Sequence, residues 1–418
     1  MTSSPAPSRR QNTLLPVTAF AELLRTRRPL LDLRAPVEFA RGGLPQAVNL
    51  PLLDDDERHR VGLCYKQAGP EAALRLGHRI VGGTTRETRL AAWCAWADAH
   101  PDGVIYCFRG GQRSTIVQQW LSDAGRVRPR VEGGYKALRR YLLGVIETFG
   151  PELPLLVVGG RTGTGKTRIL EALDRQLDLE GLAHHRGSAF GGRPAGQPPP
   201  SDFENRLALR LLDMTAPDCA SLPVAIEDES RNVGRLSVPE ALFRNMASAP
   251  IVLVESALEE RVQLTLEDYI VEGLAEHRMA VGCGVDGRLG GAERGPIGDD
   301  AASGVEVAGA DGAGKQALED QAFDRFSTWL TDALDRIQRR LGGDRHSRLS
   351  GLLENALRQH RESGETDAHR EWIRVLLADY YDPMYDHQLE KKASRIAFRG
   401  DPVAVTQWLA ERAGWRQP

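Results

Sequence analysis

The chain has 418 residues, is 41% hydrophobic and 27% charged, and carries a formal net charge of −3. Those proportions exclude whole-chain disorder, and the near-neutral balance excludes a basic coat, so any nucleic-acid contact must come from local patches. The longest apolar runs, such as Leu153 to Val158, fall far short of a membrane helix, and Met1 to Arg10 lack the apolar segment of a secretion signal. The five cysteines, at 64, 94, 107, 219 and 283, show no metal-ligand pairing, which suits a reducing cytoplasm. No long heptad repeat demands an oligomer, so a cytoplasmic monomer is expected.

Residues 1–12 read as a flexible tail. Leu30 to Leu33 predicts a strand stopped at Pro36, and Val48 to Pro51 a second short strand. Residues 71–99 carry helical periodicity with a break at Gly82-Gly83, and Val104 to Tyr106 predicts a strand running into Cys107. A helix follows over 116–121, then a strand over Arg128 to Val131 and a helix over 135–149. This alternation predicts a parallel, doubly wound α/β domain over 13–142. A second α/β domain is expected over 143–317, with strands at Leu153 to Val158, Leu222 to Ile226 and Ile251 to Val254. Within it, 11 of the 33 residues 282–314 are Gly, which predicts a mobile insertion. From 318 to 418 the pattern is mainly helical, with Ile396 to Phe398 as a last strand.

Two loops carry chemistry. The first is Tyr106 to Ser114, which leaves a strand and opens a helix. Backbone N–H groups there converge on one spot and the helix N-terminus adds positive potential. Gly110 and Gly111 let the backbone curl, and Gln112 and Ser114 complete the anion cradle. Arg109 and Arg113 add fixed charge. Cys107 at the base becomes a sulfur nucleophile. A cysteine at a strand end is usually structural, and Cys64, Cys94, Cys219 and Cys283 are read that way. Cys107 differs because a Gly-Gly pair, two arginines and a serine crowd into one turn.

The second loop, Gly160 to Thr167, matches G-x-x-x-x-G-K-[ST] between an apolar strand and a helix. Gly160, Gly163 and Gly165 shape a diphosphate cradle, Lys166 neutralises the terminal phosphate, and Thr167 reaches Mg²⁺. Glu227-Asp228-Glu229 lies where a metal-holding carboxylate would follow the next strand. Any of the three satisfies the spacing, and Asp228 is the expected Mg²⁺ ligand beside Thr167. The motif predicts diphosphate binding, not ATP hydrolysis. Weaker signals are His184 to Gly191, the stripe Arg126, Arg128, Arg130, Arg139 and Arg140, a second stripe from Arg336 to Arg348, and the aromatic run Tyr380 to Tyr385. Each is read as a surface or packing feature at least as readily as a contact to phosphate or RNA.

The first domain resembles the rhodanese superfamily. Asp32 to Phe39 is similar to its early D-x-R-x-x-x-E-[FY] turn, Gly43 to Pro51 to its G-H-I-x-G-A-x-N-[IL]-P strand, and Val131 to Tyr135 to its closing L-x-G-G-[WY]. Common members have a six-residue loop from cysteine to arginine. Here Cys107 to Arg113 spans seven, a wider cradle suited to a bulkier anion. The fold expected is therefore a rhodanese-like doubly wound sheet, then a P-loop NTPase-like α/β domain with a helical C-terminal region. The whole chain resembles the tRNA 2-selenouridine synthase family, through Asp54 to Arg58, Val61 to Gln67, Leu76 to His78, both loops, His184 to Gly191, Glu227 to Arg231 and Tyr380 to Lys392. The resemblance implies a transferase acting on wobble 2-thiouridine in the tRNA anticodon loop. Sulfur is geranylated from geranyl diphosphate, then replaced by selenium from selenophosphate through an S-selanyl form of Cys107. It also implies a selenophosphate-producing enzyme as partner. The competing reading is a rhodanese-type sulfurtransferase whose P-loop domain uses ATP.

Overall fold

The computed structural model describes residues 13–216, 221–282 and 312–413. The tail 1–12, Cys219, Cys283 and nearly all of the glycine-rich stretch lie outside them. The chain forms two compact units. One holds the residues up to Val145 and Pro199–Asp213; the other holds Ile146–Pro198 and the described remainder from Met214.

In the first unit five short strands, β1 (Leu14–Leu15), β2 (Leu30–Asp32), β3 (Ala47–Asn49), β4 (Val104–Tyr106) and β5 (Arg130–Val131), form one parallel sheet in the order β1-β5-β4-β2-β3. Every residue of β2 and β4 is buried. Alternate side chains point to opposite faces, so both faces are covered, as expected of a parallel sheet. Leu31 and Ile105 pack with Trp93, Val117 and Leu121 in one cluster.

The helix expected from residue 71 begins earlier, at Asp55, and runs to Ile80. Asp54 and Glu57 close a reciprocal cap on its first turn at 2.8 and 2.9 Å. The chain kinks at Gly69 (φ 82°), just before Pro70, and then resumes as helix. A Gly-Pro pair reads as a stop in sequence, which is why the upstream half was not foreseen. A second helix, Gly83–Ala99, follows the expected break.

Helix Pro200–Met214 follows the P-loop in sequence and was expected in the second domain, yet Pro199–Asp213 belongs to the first unit. The reason is polar. The buried Asp202 carboxylate accepts the Gly43 N–H at 2.7 Å, and Asn205 donates to the Gly43 carbonyl at 2.8 Å. Gly43 would otherwise leave both backbone groups buried and unpaired.

The second unit has its own parallel sheet: β6 (Leu155–Gly160), β7 (Gln176–Leu177), β8 (Val224–Glu227), β11 (Ile251–Val254) and β12 (Ile396–Gly400), ordered β12-β11-β6-β8-β7. A small antiparallel hairpin, β9 (Asn232–Val233) with β10 (Leu236–Ser237), sits between β8 and β11 in the chain. The C-terminal residues are mainly helical, and Phe326, Leu330, Leu353 and Trp372 anchor their core with Val262 and Ile270. No helix among the described residues is long and apolar enough to cross a membrane.

Candidate active site

Each unit presents its loop at the carboxyl end of a central strand, where open parallel sheets hold ligands. In the first unit Cys107 directly follows β4 and is buried, and the helix Gln112–Asp123 starts five residues on. Its Sγ lies 3.3 Å from Ser114 Oγ, which itself donates to the Gly111 carbonyl at 3.0 Å. Gly110 has φ +63°, and a Cβ there would meet Gly133 N and Val131 O at 2.8 Å. Gly134 is tighter still, with Cys107 O 2.2 Å from an added Cβ. The loop is therefore pressed against the turn 131–134 and braced from outside by Arg130, whose Nη1 donates to Gly110 O at 2.6 Å. Among the described residues, no backbone N–H from Phe108 to Arg113 donates to a protein acceptor. Such a run of unpaired donors following the thiol is what an anion cradle requires.

The two expected arginines differ. Arg109 is exposed, with its guanidinium beside the Phe108 ring. Arg113 is not a free anion ligand: it forms a forked pair with Glu38 at 2.5 and 3.1 Å. Burial alone would lower its basicity, but Glu38 overrides this and raises it. Glu38 in turn is held below its ordinary range, because Arg113 outweighs the opposing effect of burial. Its Oε2 also accepts the Ala35 N–H at 3.0 Å. Behind it lies a buried pair. Arg34 binds Asp32 at 2.6 to 3.0 Å and stacks over Tyr135, 3.8 Å from the ring centre. Losing either charge would strand the other away from water. The resembling segments Asp32 to Phe39 and Val131 to Tyr135 thus meet as the scaffold of the Cys107 loop.

One feature gives no signal in sequence. An apolar cavity of about 120 Å³ opens beside Gln112 and Arg113, walled by Leu52, Val61, Ala73, Leu74, Ile116 and Trp120. The kinked helix supplies half of that wall.

In the second unit the loop Gly160 to Gly165 joins β6 to the helix Lys166–Glu171. Gly163 (φ +80°) lies against the chain near Arg261, where a Cβ would meet the Arg261 carbonyl at 2.8 Å. Lys166 Nζ donates back to the carbonyls of Gly160 and Arg161 at 2.9 and 3.3 Å. C-terminal residues clamp the loop from outside. Arg161 pairs with Asp386 at 2.5 Å, and the buried Arg261 joins Asp382 to the Thr162 carbonyl. A cavity of about 320 Å³ spreads over the loop residues 162–168. Arg186, Gly187, Ser188 and Ala189 from the expected polar stretch line it, as do Tyr269, Tyr380, Tyr381, Met384 and Tyr385. The aromatic run is therefore a cavity wall and not packing alone. Arg186 is nine-tenths buried, donates to Glu276 at 2.8 Å, and keeps Nη1 without a partner.

Of the two expected Mg²⁺ ligands, Thr167 lines this cavity and Asp228 does not. Both oxygens of Asp228 accept from Lys392 Nζ at 2.7 Å, so that carboxylate is already paired. Glu227 is buried and caps Leu179 and Glu180 through Oε2 at 2.7 and 3.1 Å. Among the described residues no group of three or more His, Cys, Asp or Glu side chains is arranged to hold a metal. The carboxylates that do line the cavity are Asp178, Glu180 and Glu229. Burial first, and the Glu229 charge second, push Glu180 up to about 8. Burial beside Glu229 thus favours the protonated form of Glu180.

That proton has a cost measurable as stability. The unfolded chain releases it near the ordinary 4.5, the folded chain only near about 8, so stability falls as pH rises across that window. Glu180→Gln keeps a neutral donor and removes the penalty. We expect it to raise the melting temperature at pH 9 by about 2–4 °C and to leave it unchanged at pH 4. Parallel melting curves for the variant and the parent across pH would refute the assignment.

The arginine stripes resolve mostly into scaffold. Arg126 pairs with Asp98, Arg128 binds the carbonyls of His100 and Ala97, and Arg139 holds Glu204 and Asn205. In the second stripe Arg336 donates to the Ala189 carbonyl, while Arg340 lines the P-loop cavity.

A family profile described as the tRNA 2-selenouridine synthase AAA domain matches residues 153–289 and 305–415. The tRNA 2-selenouridine synthase of Cupriavidus pinatubonensis is 48% identical over 94% of this chain and 98% of its own. Those of Hahella chejuensis and Bordetella petrii are 47% and 46% identical, over 91% and 94% of this chain and 91% and 95% of theirs. On profile and relatives alike, the chain belongs to the tRNA 2-selenouridine synthase family, a family of tRNA-modifying enzymes.

Proposed function

We propose that the chain forms 2-selenouridine at the wobble position of tRNA in two steps, served by the two loops in turn. The supporting observation is that each unit carries a separate anion cradle, and only one of them has a sulfur nucleophile at its base. The first unit is read as a rhodanese-like domain and the second as a P-loop domain.

In the first step 2-thiouridine attacks the allylic carbon of geranyl diphosphate. A C–S bond forms, the C–O bond breaks with its electron pair leaving on diphosphate, and the N3 proton is released. Diphosphate is a good leaving group when its charge is met. Lys166, the loop amides and the unpartnered Nη1 of Arg186 meet it, and the tyrosine faces suit an allylic carbon gathering positive charge. No step is routed through Mg²⁺. In the second step a selenium nucleophile derived from selenophosphate adds at C2. The C2–Se bond forms, the C2–S bond breaks, and the geranyl thiolate leaves with the electron pair. S-alkylation makes this feasible by converting sulfide into a thiolate leaving group.

That leaving group carries ten apolar carbons, and the apolar cavity beside Gln112 and Arg113 suits them. Val61→Phe fills the cavity. It should raise the KM for an S-geranyl-2-thiouridine oligonucleotide about tenfold and leave an S-methyl substrate unaffected. Equal effects on both substrates would move the prenyl chain elsewhere.

The decisive assay is mass spectrometry of tRNA nucleosides. Geranyl diphosphate alone should yield S-geranyl-2-thiouridine, and added selenophosphate should convert it to 2-selenouridine. Thiouridine formed from thiosulfate and ATP, with no geranylated species, would favour the sulfurtransferase reading.

A further inference from the structure

We propose that Tyr65 is a stacking platform for a base of the anticodon loop, and that the basic residues of its helix hold the flanking RNA backbone. This rests on the reading that the S-geranylated wobble nucleoside comes to the apolar cavity of the first unit.

Tyr65 is the only exposed Phe, Tyr or Trp among the described residues, at 59% of its full area. A bare ring forgoes the apolar burial that every other described tyrosine finds at least in part. Among the described residues it meets no other aromatic ring and no cation. Trp120, which lines the same cavity, is by contrast covered by the Arg86 guanidinium, 4.5 Å from its ring centre. The position of Tyr65 singles out a ligand. The helix Asp55–Ile80 turns back at Gly69, so that a Cβ on Gly77 would lie 4.0 Å from Val61 Cγ2. In a straight helix those residues would stand about 24 Å apart. Tyr65 and His78, both exposed, line the cavity formed between the two halves, together with Gln112 and Arg113 of the thiol loop. A prenyl chain held in that cavity leaves its nucleobase at the mouth, where an open π face receives an unpaired base.

Charge meets the backbone. Residues 58–79 carry five arginines and lysines against one glutamate. Arg58 and Arg75 reach Glu38 and Glu71 at 3.4 and 3.8 Å. Arg60, Lys66 and Arg79 are exposed and pair with no acceptor among the described residues. In a chain of net charge −3, that local excess of cations complements a polyanion. It favours RNA over a protein partner, whose contact core would be poor in charge.

The test is fluorescence anisotropy with the full chain and a labelled anticodon stem-loop whose wobble nucleoside is S-geranyl- or S-methyl-2-thiouridine. Tyr65→Ala should raise Kd about tenfold for both RNAs, because the ring holds the base and not the alkyl chain. Tyr65→Phe keeps the π face and should bind as the parent does. Lys66→Ala should lower the slope of log Kd against log salt by about 0.7 and leave the preference for the S-geranyl RNA unchanged. A loss confined to the S-geranyl RNA would make Tyr65 a wall for the alkyl chain alone and overturns the proposal. So does parent affinity in Tyr65→Ala, which would leave the ring to a protein partner. If the parent binds both RNAs but selenophosphate never converts the S-geranyl nucleoside to 2-selenouridine, the two-step reading falls instead.

Discussion

Cys107→Ser is expected to reduce 2-selenouridine formation by about a thousandfold or more, the usual scale for loss of a covalent nucleophile, while S-geranyl-2-thiouridine accumulates at the parent rate. The split follows from the structure. Serine keeps the size of the side chain and the hydrogen bond to Ser114, so the turn pinned by Gly110, Gly134 and Arg130 keeps its shape. The P-loop lies in the other compact unit and shares no residue with that turn. Nucleoside mass spectrometry with both donors present reads both products at once. Selenation at the parent rate, or a matching fall in geranylation, would end the assignment of separate roles.

The second large effect is at Lys166. Lys166→Ala should lower geranylation about a hundredfold, the typical loss when a charge that stabilises a leaving group is removed. An oligonucleotide supplied already S-geranylated should still be selenated at the parent rate. Lys166 is now turned back on the Gly160 and Arg161 carbonyls, so its removal leaves those acceptors to water and does not open the core. Failure of both steps in this variant would show the P-loop acting beyond diphosphate capture.

Both loops were legible because each is written in consecutive residues. A strand, a turn needing glycine and a helix start are local events, and β4-Cys107-helix and β6-Gly160-helix follow them closely. What escaped depends on distant pairs. Asp228 looks like a metal ligand until Lys392, 164 positions away, occupies it. Arg113 looks like a free cation until Glu38 takes it. The stripe Arg126 to Arg140 can be read as an RNA face until Arg126, Arg128, Arg130 and Arg139 each find an oxygen acceptor of their own unit. The apolar cavity beside Gln112 and Arg113 needs three separate segments and has no linear trace. The Gly69-Pro70 kink misled because breakers report a local backbone angle, not the end of an element.

The excursion of Pro199–Asp213 has a practical consequence for dissection. The polypeptide enters the thiol-bearing half, leaves it, comes back for fifteen residues and departs again, so no single scission frees either half intact. A fragment stopped near residue 145 would strand the amide and carbonyl of Gly43 beneath a missing helix and should be recovered as insoluble material, whereas the same fragment supplied with the 199–213 peptide should gain solubility.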